Sequence, residues 1–459
     1  MDLNVLIVGG GIHGTGLLHD LATRRVGGVH LVERSQLAAG TSSRSTKLVH
    51  GGLRYLERVG QWGLVREALR ERGILLRVLK GLVAPLPFVL PAFKGDRPPW
   101  MIRAGLFLYD VLAGDGGLPS ARRLSREELL SVAPYLRHDR VESDMLDAFL
   151  YYDAQMLDDV IVRVAAEASR RLGATHEEGA MVEAVEPIET SEGRAFRCVI
   201  ASATGRREVT ARIVVNAGGA WANANLLRWG IAPRVSCLLN VGTHIVFRPE
   251  AVGATPAACA ASLLQNADGR VVFFIPWNGR WLFGTTESVL RQGDPRGLLP
   301  PEEDVRYLLE AASHNLSFSG PVGALGSASD AVEEVFCGVR TMPFKAPPEV
   351  TARAASSARG QAWSTDPFSS PFYVRETSEN ISALSRETVI DDTLPGLISV
   401  YGGKYTTYRS QCEAIGALVA RRLGVGGTTG TQVAENWFLP EILADSPEMF
   451  RSSPEVRVL

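Results

Sequence analysis

Three glycines, Gly9, Gly11 and Gly14, stand in the spacing G-x-G-x-x-G directly after the apolar run Leu3–Val8, and Glu33 follows 22 residues beyond the second of them. Each glycine has a mechanical task. The first allows a tight turn, the second lets a pyrophosphate approach the backbone, and the third lets helix and strand pack closely. The helix that begins there carries Leu17, Leu18, Leu21 and Ala22 at helical spacing, and its positive end favours phosphate. Val29–Val32 reads as the next strand and sets Glu33 at its end, where a carboxylate accepts the hydroxyls of an unphosphorylated ribose. The unit is a βαβ dinucleotide-binding fingerprint.

Other stretches carry groups that could surround such a ligand. Gly40-Thr41-Ser42-Ser43-Arg44-Ser45-Thr46-Lys47-Leu48-Val49-His50-Gly51-Gly52-Leu53-Arg54-Tyr55-Leu56-Glu57 sets small hydroxyls, then cations, then a His-Gly-Gly bend. Val214-Val215-Asn216 runs into Ala217-Gly218-Gly219-Ala220-Trp221, a small-residue turn where backbone can approach a cofactor a second time. Gly402-Gly403-Lys404 precedes a helix and brings backbone donors, a positive helix end and an ammonium to sites of developing negative charge. His50 and His244 are candidates to accept a proton, because imidazole titrates nearest neutrality.

These segments, with the opening Gly9-Gly10-Gly11-Ile12-His13-Gly14, resemble the flavin-dependent glycerol-3-phosphate dehydrogenases of the glycine oxidase and D-amino-acid oxidase superfamily. Trp100 to Tyr109, Gly242-Thr243-His244-Ile245-Val246, Phe274-Ile275-Pro276-Trp277, Gly284-Thr285-Thr286, Gly338-Val339-Arg340 and Gly402 to Arg409 follow in that family's order, over residues 1 to about 424. The resemblance implies FAD, held by Gly9, Gly11, Ile12, His13, Gly14, Glu33 and Arg34, by Thr41, Ser42, Ser43, Lys47, Leu48, His50 and Gly51, and by Ala217, Gly218, Trp221, Gly403, Lys404, Tyr405 and Thr406. It implies a substrate pocket of Arg54, Tyr55, His244, Thr286, Arg340 and Arg386, with His50, Arg340 and Lys404 catalytic.

The implied reaction is hydride transfer from the secondary alcohol of a small phosphorylated polyol, foremost sn-glycerol 3-phosphate to dihydroxyacetone phosphate, onto flavin N5. The alternatives are another phosphorylated or phosphonylated alcohol, an amine or amino acid, or a flavoprotein that binds without turnover. Asp153-Ala154-Gln155, Val339-Arg340-Thr341 and Ala217 to Trp221 depart from the family's pattern, and most of its helical C-terminal domain is missing after Leu423.

The elements that must position these groups are α/β. The expected fold is a Rossmann-like FAD-binding domain of the glutathione-reductase type, with a second, mostly antiparallel β substrate domain plus helices. The expected boundaries are FAD-binding segments at 1–75, 151–232 and 373–424, a substrate- or membrane-facing segment at 76–150, and an antiparallel substrate domain at 233–343. A long Ala/Ser/Pro-rich loop takes 344–372 and a tail 425–459.

The chain has 459 residues, 46% hydrophobic and 21% charged, with a net charge of −2. That is globular usage without a global basic field, which argues against disorder and against nucleic acid as partner. Five scattered cysteines, never in C-x-x-C spacing, fit unpaired thiols in a reducing compartment and no metal site. The start, Met1-Asp2-Leu3-Asn4, lacks a secretory n-region, so the expected location is the cytoplasm. Residues 44 to 103 carry twelve Lys/Arg against four acids. This +8 segment is a candidate for peripheral contact with the inner face of the cytoplasmic membrane, where a quinone would take the electrons. The other reading is a solvated basic helix, with oxygen as acceptor. A homodimer is the remaining partner expectation.

Overall fold

The computed structural model describes residues 1–57, 59–114, 117–266, 268–318, 325–345, 366–374 and 387–446. Strand Leu3–Val8 is the centre of the first sheet, flanked in parallel by Val29–Val32 on one side and Gly205–Asn216 on the other. Leu397–Gly402 extends the parallel order beyond Gly205–Asn216, and Thr175–Glu177 beyond Val29–Val32. The opening strand is apolar throughout because both its faces are covered. Val5 and Ile7 join the core beneath helices Ile12–Thr23, Asp158–Arg171 and Tyr408–Leu423. Leu6 and Val8 point the other way, toward Val182, Phe196 and Leu226. Such two-sided burial is typical of parallel sheets.

The second sheet has eleven strands and is mostly antiparallel. Its spine is Val235–Phe247, buried at every residue and paired along its length with Val332–Lys345. Arg280–Gly284 and Val271–Trp277 follow on its other edge, then Ala261–Gln265, Val83–Phe93 and Met145–Met156. Leu82 to Phe93, which its prolines mark in the sequence as a broken apolar stretch, contributes a full strand here. Pro85, Pro87 and Pro91 stand two and four positions apart, so the N–H groups they lack would all have faced one edge. Met145–Met156 runs across residue 150, so the segment around 76–150 is woven into the same sheet as 233–343.

Two connections set the site. Strand Leu48–Val49 pairs with Ala154 and Gln155 at the margin of the second sheet, which sets His50 beside the first sheet's helices. Strand Leu397–Gly402 leaves the first sheet at Gly402 and Gly403, whose φ of 68° and 92° suit glycine. Among the described residues no helix is long and apolar enough to cross a membrane. The five cysteines are unpaired.

Candidate active site

Gly9 turns with φ of 111°, and a Cβ there would lie 2.7 Å from the carbonyl oxygen of Ala217. At Gly14 a Cβ would stand 1.8 Å from the carbonyl oxygen of Gly9, so only hydrogen lets the helix sit down on the turn. Glu33 closes the motif. Its two carboxylate oxygens accept from the backbone N–H groups of Gly10 at 2.6 Å and Ser35 at 2.8 Å. Each oxygen keeps a further lone-pair direction for a ribose hydroxyl. Ser42 Oγ accepts from the Ile12 N–H at 2.9 Å, tying the 41–43 turn to the helix start.

These groups line one wall of a cavity of about 550 Å³. Gly9, Gly11, Ile12, His13, Glu33 and Arg34 face it from the first βαβ unit, and Thr41, Ser42 and Leu48 from the hydroxyl-rich segment. Ala217, Gly218 and Trp221 complete that wall. His13 Nε2 meets Gln411 Oε1 at 2.7 Å, and its ring abuts Gly403, so the glycine turn and the Gly402-Gly403-Lys404 loop touch. Burial holds the His13 imidazole below its ordinary pKa, against the Gln411 hydrogen bond.

The same cavity is lined by His50, Arg54, Tyr55, Arg340, Lys404, Tyr405 and Thr406. Lys404 Nζ lies 3.8 Å from the centre of the Tyr55 ring, a cation–π contact. Tyr55 in turn packs against Gly52, where a Cβ would meet the ring at 2.5 Å. The His50 N–H donates to Thr406 Oγ1 at 3.2 Å, and the imidazole tilts against Phe273. Arg340 lies along Gly242, with Nη1 donating to Asn240 Oδ1 at 2.8 Å and Nη2 to Thr285 Oγ1 at 3.1 Å.

Several residues named from the sequence do not line the cavity. Lys47 is buried in an ion pair with Asp158 at 2.8 Å and also donates to the Ser43 carbonyl. It ties its loop to helix Asp158–Arg171. Burial outweighs the Lys47 ammonium and pushes the Asp158 carboxyl up. Gly14, Ser43 and Gly51 also lie behind the lining. Gly51 donates its N–H to Tyr109 Oη at 2.8 Å, and that hydroxyl donates to Asp153.

Thr286 is buried with its hydroxyl on Asp304, away from the cavity. His244 is buried as well, stacked on Phe336, with Nε2 3.0 Å from Thr46 Oγ1. Burial first, then Arg340 and Lys47, hold its pKa well below the ordinary value. Arg386 and most of the Ala346 to Pro371 loop lie outside the described residues.

Sequence reasoning did not single out Ala180, Met181 and Val182, or Phe273, which line the same cavity, and it marked Asp153, which lines it too, only as part of a departure from the family's pattern. The first three arrive because Glu33 N–H donates to the Glu177 carbonyl and Ala180 N–H to the Glu33 carbonyl. Nothing in their own residue types signals it. Asp153 had a signal, a carboxylate inside a buried strand, and it is fully engaged by Arg72 at 2.6 Å and by Tyr109.

A family model described as FAD dependent oxidoreductase, DAO, matches residues 4–361. The chain belongs to the DAO family of FAD-dependent oxidoreductases. Within that family it is 34% identical over 422 residues to a glycerol-3-phosphate dehydrogenase of Pseudomonas aeruginosa, covering 90% of this chain and 70% of that protein. It is 32% identical over 428 residues to the mitochondrial glycerol-3-phosphate dehydrogenase of Mesocricetus auratus, covering 90% of this chain and 52% of the relative. The chain thus spans about half the length of the mitochondrial relatives it matches. The fold of this DAO-family oxidoreductase superposes on the glycerol-3-phosphate dehydrogenase of Bacillus halodurans complexed with FAD. There the TM-score is 0.66 at 22% identity, over 98% of this chain and 73% of that one. An FAD-bound L-alpha-glycerophosphate oxidase from Mycoplasma pneumoniae gives 0.63 at 15%, over 93% and 96%.

FAD is the cofactor of this family, and the DAO-family chain has the residues to hold it. The Gly9 and Gly14 positions leave no room for a side chain, as close backbone approach to a pyrophosphate requires. The Glu33 carboxylate is held beside the same turn by the N–H groups of Gly10 and Ser35.

Proposed function

We propose that this protein oxidises the secondary alcohol of a small phosphorylated polyol, sn-glycerol 3-phosphate foremost, to the corresponding ketone. The observation that carries the reading is that Arg340, Arg54, Lys404 and His50 line the same cavity as the dinucleotide turn. The identity to glycerol-3-phosphate dehydrogenases supports the same substrate class. When bound, FAD supplies the acceptor for the hydride. Arg340 and Arg54 take the phosphate, for which guanidinium forks are suited. A ring nitrogen of His50 accepts the hydroxyl proton. His244 is the poorer base, because its Nε2 is engaged by Thr46 and its charged form is disfavoured by burial and two cations. The ammonium of Lys404 favours negative charge where the cofactor gains electrons.

A membrane quinone is the acceptor that a second observation favours. Helix Pro99–Ala113 turns Ile102, Leu106 and Tyr109 inward. It leaves Trp100, Phe107 and Val111 exposed at 71%, 72% and 59%. The helix begins at the end of the +8 segment 44–103, in which Lys47, Arg72 and Arg97 are already paired with Asp158, Asp153 and Glu57.

Anaerobic bleaching of the oxidised flavin band tests the reading. sn-Glycerol 3-phosphate is expected to bleach it, and glycerol and glycine to leave it coloured. Bleaching by amino acids and not by the phosphorylated alcohol would overturn the assignment. Arg340→Ala is expected to raise KM for the phosphorylated substrate roughly tenfold or more, the loss of one charged hydrogen bond.

A further inference from the structure

Behind Arg340 lies a buried carboxylate that touches neither the cavity nor the guanidinium. Asp304 sits in the first turn of helix Glu302–Asn315, 7% exposed. A single oxygen of it, Oδ2, accepts three hydroxyls: Thr286 Oγ1 at 2.6 Å, Thr243 Oγ1 at 2.9 Å and Ser288 Oγ at 3.0 Å. Thr286 Oγ1 meanwhile accepts from the Thr243 N–H at 2.9 Å, which leaves its own proton for Asp304. Two neighbouring strands and the segment joining Arg280–Gly284 to Ser288–Val289 are thereby drawn to one atom.

From that atom two routes reach Arg340. In the first, the Thr286 carbonyl accepts from Arg340 Nη1 at 3.4 Å, and the adjacent Thr285 hydroxyl accepts from Nη2 at 3.1 Å. In the second, the Ser288 carbonyl accepts from Asn240 Nδ2 at 3.3 Å. This turns the amide so that Oδ1 faces Arg340 Nη1 at 2.8 Å. A guanidinium has only donors, so the amide must present oxygen to it and nitrogen to Ser288. Gly242 completes the bed: a Cβ there would lie 2.4 Å from Nη2. These acceptors help fix the fork's attitude, and Asp304 holds them in register.

We propose that Asp304 is a positioning residue for Arg340, presenting its guanidinium to the phosphate of the substrate. This rests on the reading that Arg340 binds phosphate, and the test separates the two. Inorganic phosphate is titrated calorimetrically into the full-length, FAD-loaded protein and into Arg340→Ala, Asp304→Ala, Asp304→Asn and the Asp304→Ala/Arg340→Ala double variant.

Arg340→Ala is expected to weaken phosphate roughly tenfold or more, and Asp304→Ala about fivefold. Asp304→Asn, which keeps an acceptor oxygen for the hydroxyls, is expected within about twofold of the parent. Adding Asp304→Ala to Arg340→Ala should change phosphate affinity no further, because the two act in series. A residue that served only stability would lower FAD content and thermal midpoint without this pattern.

Unchanged phosphate affinity in Asp304→Ala beside a weakened Arg340→Ala would overturn the positioning role and leave the phosphate reading standing. An equal additional loss in the double variant would do the same. Unchanged affinity in Arg340→Ala would remove both. Should Asp304→Ala not yield folded holoenzyme, Ser288→Ala takes its place. It cuts the second route and leaves the carboxylate two donors, with about a threefold loss expected and no loss counting against the proposal.

Discussion

At the scale of the residue, Gly14 and Gly11 differ in how much a methyl group would cost. A Cβ at Gly14 would overlap the Gly9 carbonyl, whereas at Gly11 it would come 3.1 Å from the Ser42 hydroxyl, which can give way. Gly14→Ala is expected to purify without flavin or not to fold, and Gly11→Ala to keep a reduced FAD content. The ratio of flavin to protein absorbance checks this, and a fully loaded Gly14→Ala would contradict it. His19 offers a pH test. Buried against Trp437, with Nε2 on the Asn436 carbonyl, it titrates at about 4, pushed down chiefly by burial. The unfolded chain binds that proton near 6.5, so stability is full above that pH and falls as pH drops toward 4. The contribution is about 3 kcal/mol. His19→Gln should lower stability at neutral pH and flatten the decline of the melting temperature between pH 6.5 and 4.

At the scale of the element, helix Pro99–Ala113 is sorted by its period. Its inward stripe of Ile102, Leu106 and Tyr109 packs on the second sheet, and its outward stripe repeats at Trp100, Phe107 and Val111. Burying one large apolar side chain is worth ~1.5–3 kcal/mol. Trp100→Ser/Phe107→Ser is therefore expected to reduce binding to phosphatidylglycerol vesicles at least tenfold in co-sedimentation while flavin bleaching by substrate stays unchanged. Parent protein that ignores the vesicles at low salt would dismiss the membrane reading. Tyr109 has a second part in the same helix. Its hydroxyl links Gly51 to Asp153, so the helix also holds the bend that carries His50.

At the scale of the whole molecule, buried ion pairs fasten segments far apart in the chain. Arg409 reaches Glu71 through two bonds of 2.7 Å, both side chains almost fully buried, and adds Glu413 and Thr431. It joins helix Tyr408–Leu423 of the first sheet's side to helix Trp62–Val78 beside the cavity. Removing one partner leaves the other charged and buried, which costs ~3–5 kcal/mol. Arg409→Ala should shift the urea midpoint accordingly, whereas Arg122→Ala, at an exposed pair with Glu128, should leave it in place. Equal midpoints for the two variants would show that burial does not set the difference.

The glycine turn, Glu33 and the strand-helix-strand around them were legible from order alone, because their chemistry is local: φ, packing distance and periodicity act within about thirty residues. The segments carrying His50, Arg340 and Lys404 were legible as family motifs, but which of their side chains line the cavity was not. Lys47 and Thr286 sit within motifs and turn their polar ends to Asp158 and Asp304, more than ten residues away in sequence and adjacent only in space. Tertiary structure decided which of these polar ends are engaged inside the protein, since a buried charge or hydroxyl takes whichever partner the packing brings within reach. The proline-bearing strand Val83–Phe93 is of the same kind. Its three prolines break a pattern in the chain, yet a sheet accepts them once their bare nitrogens share one edge.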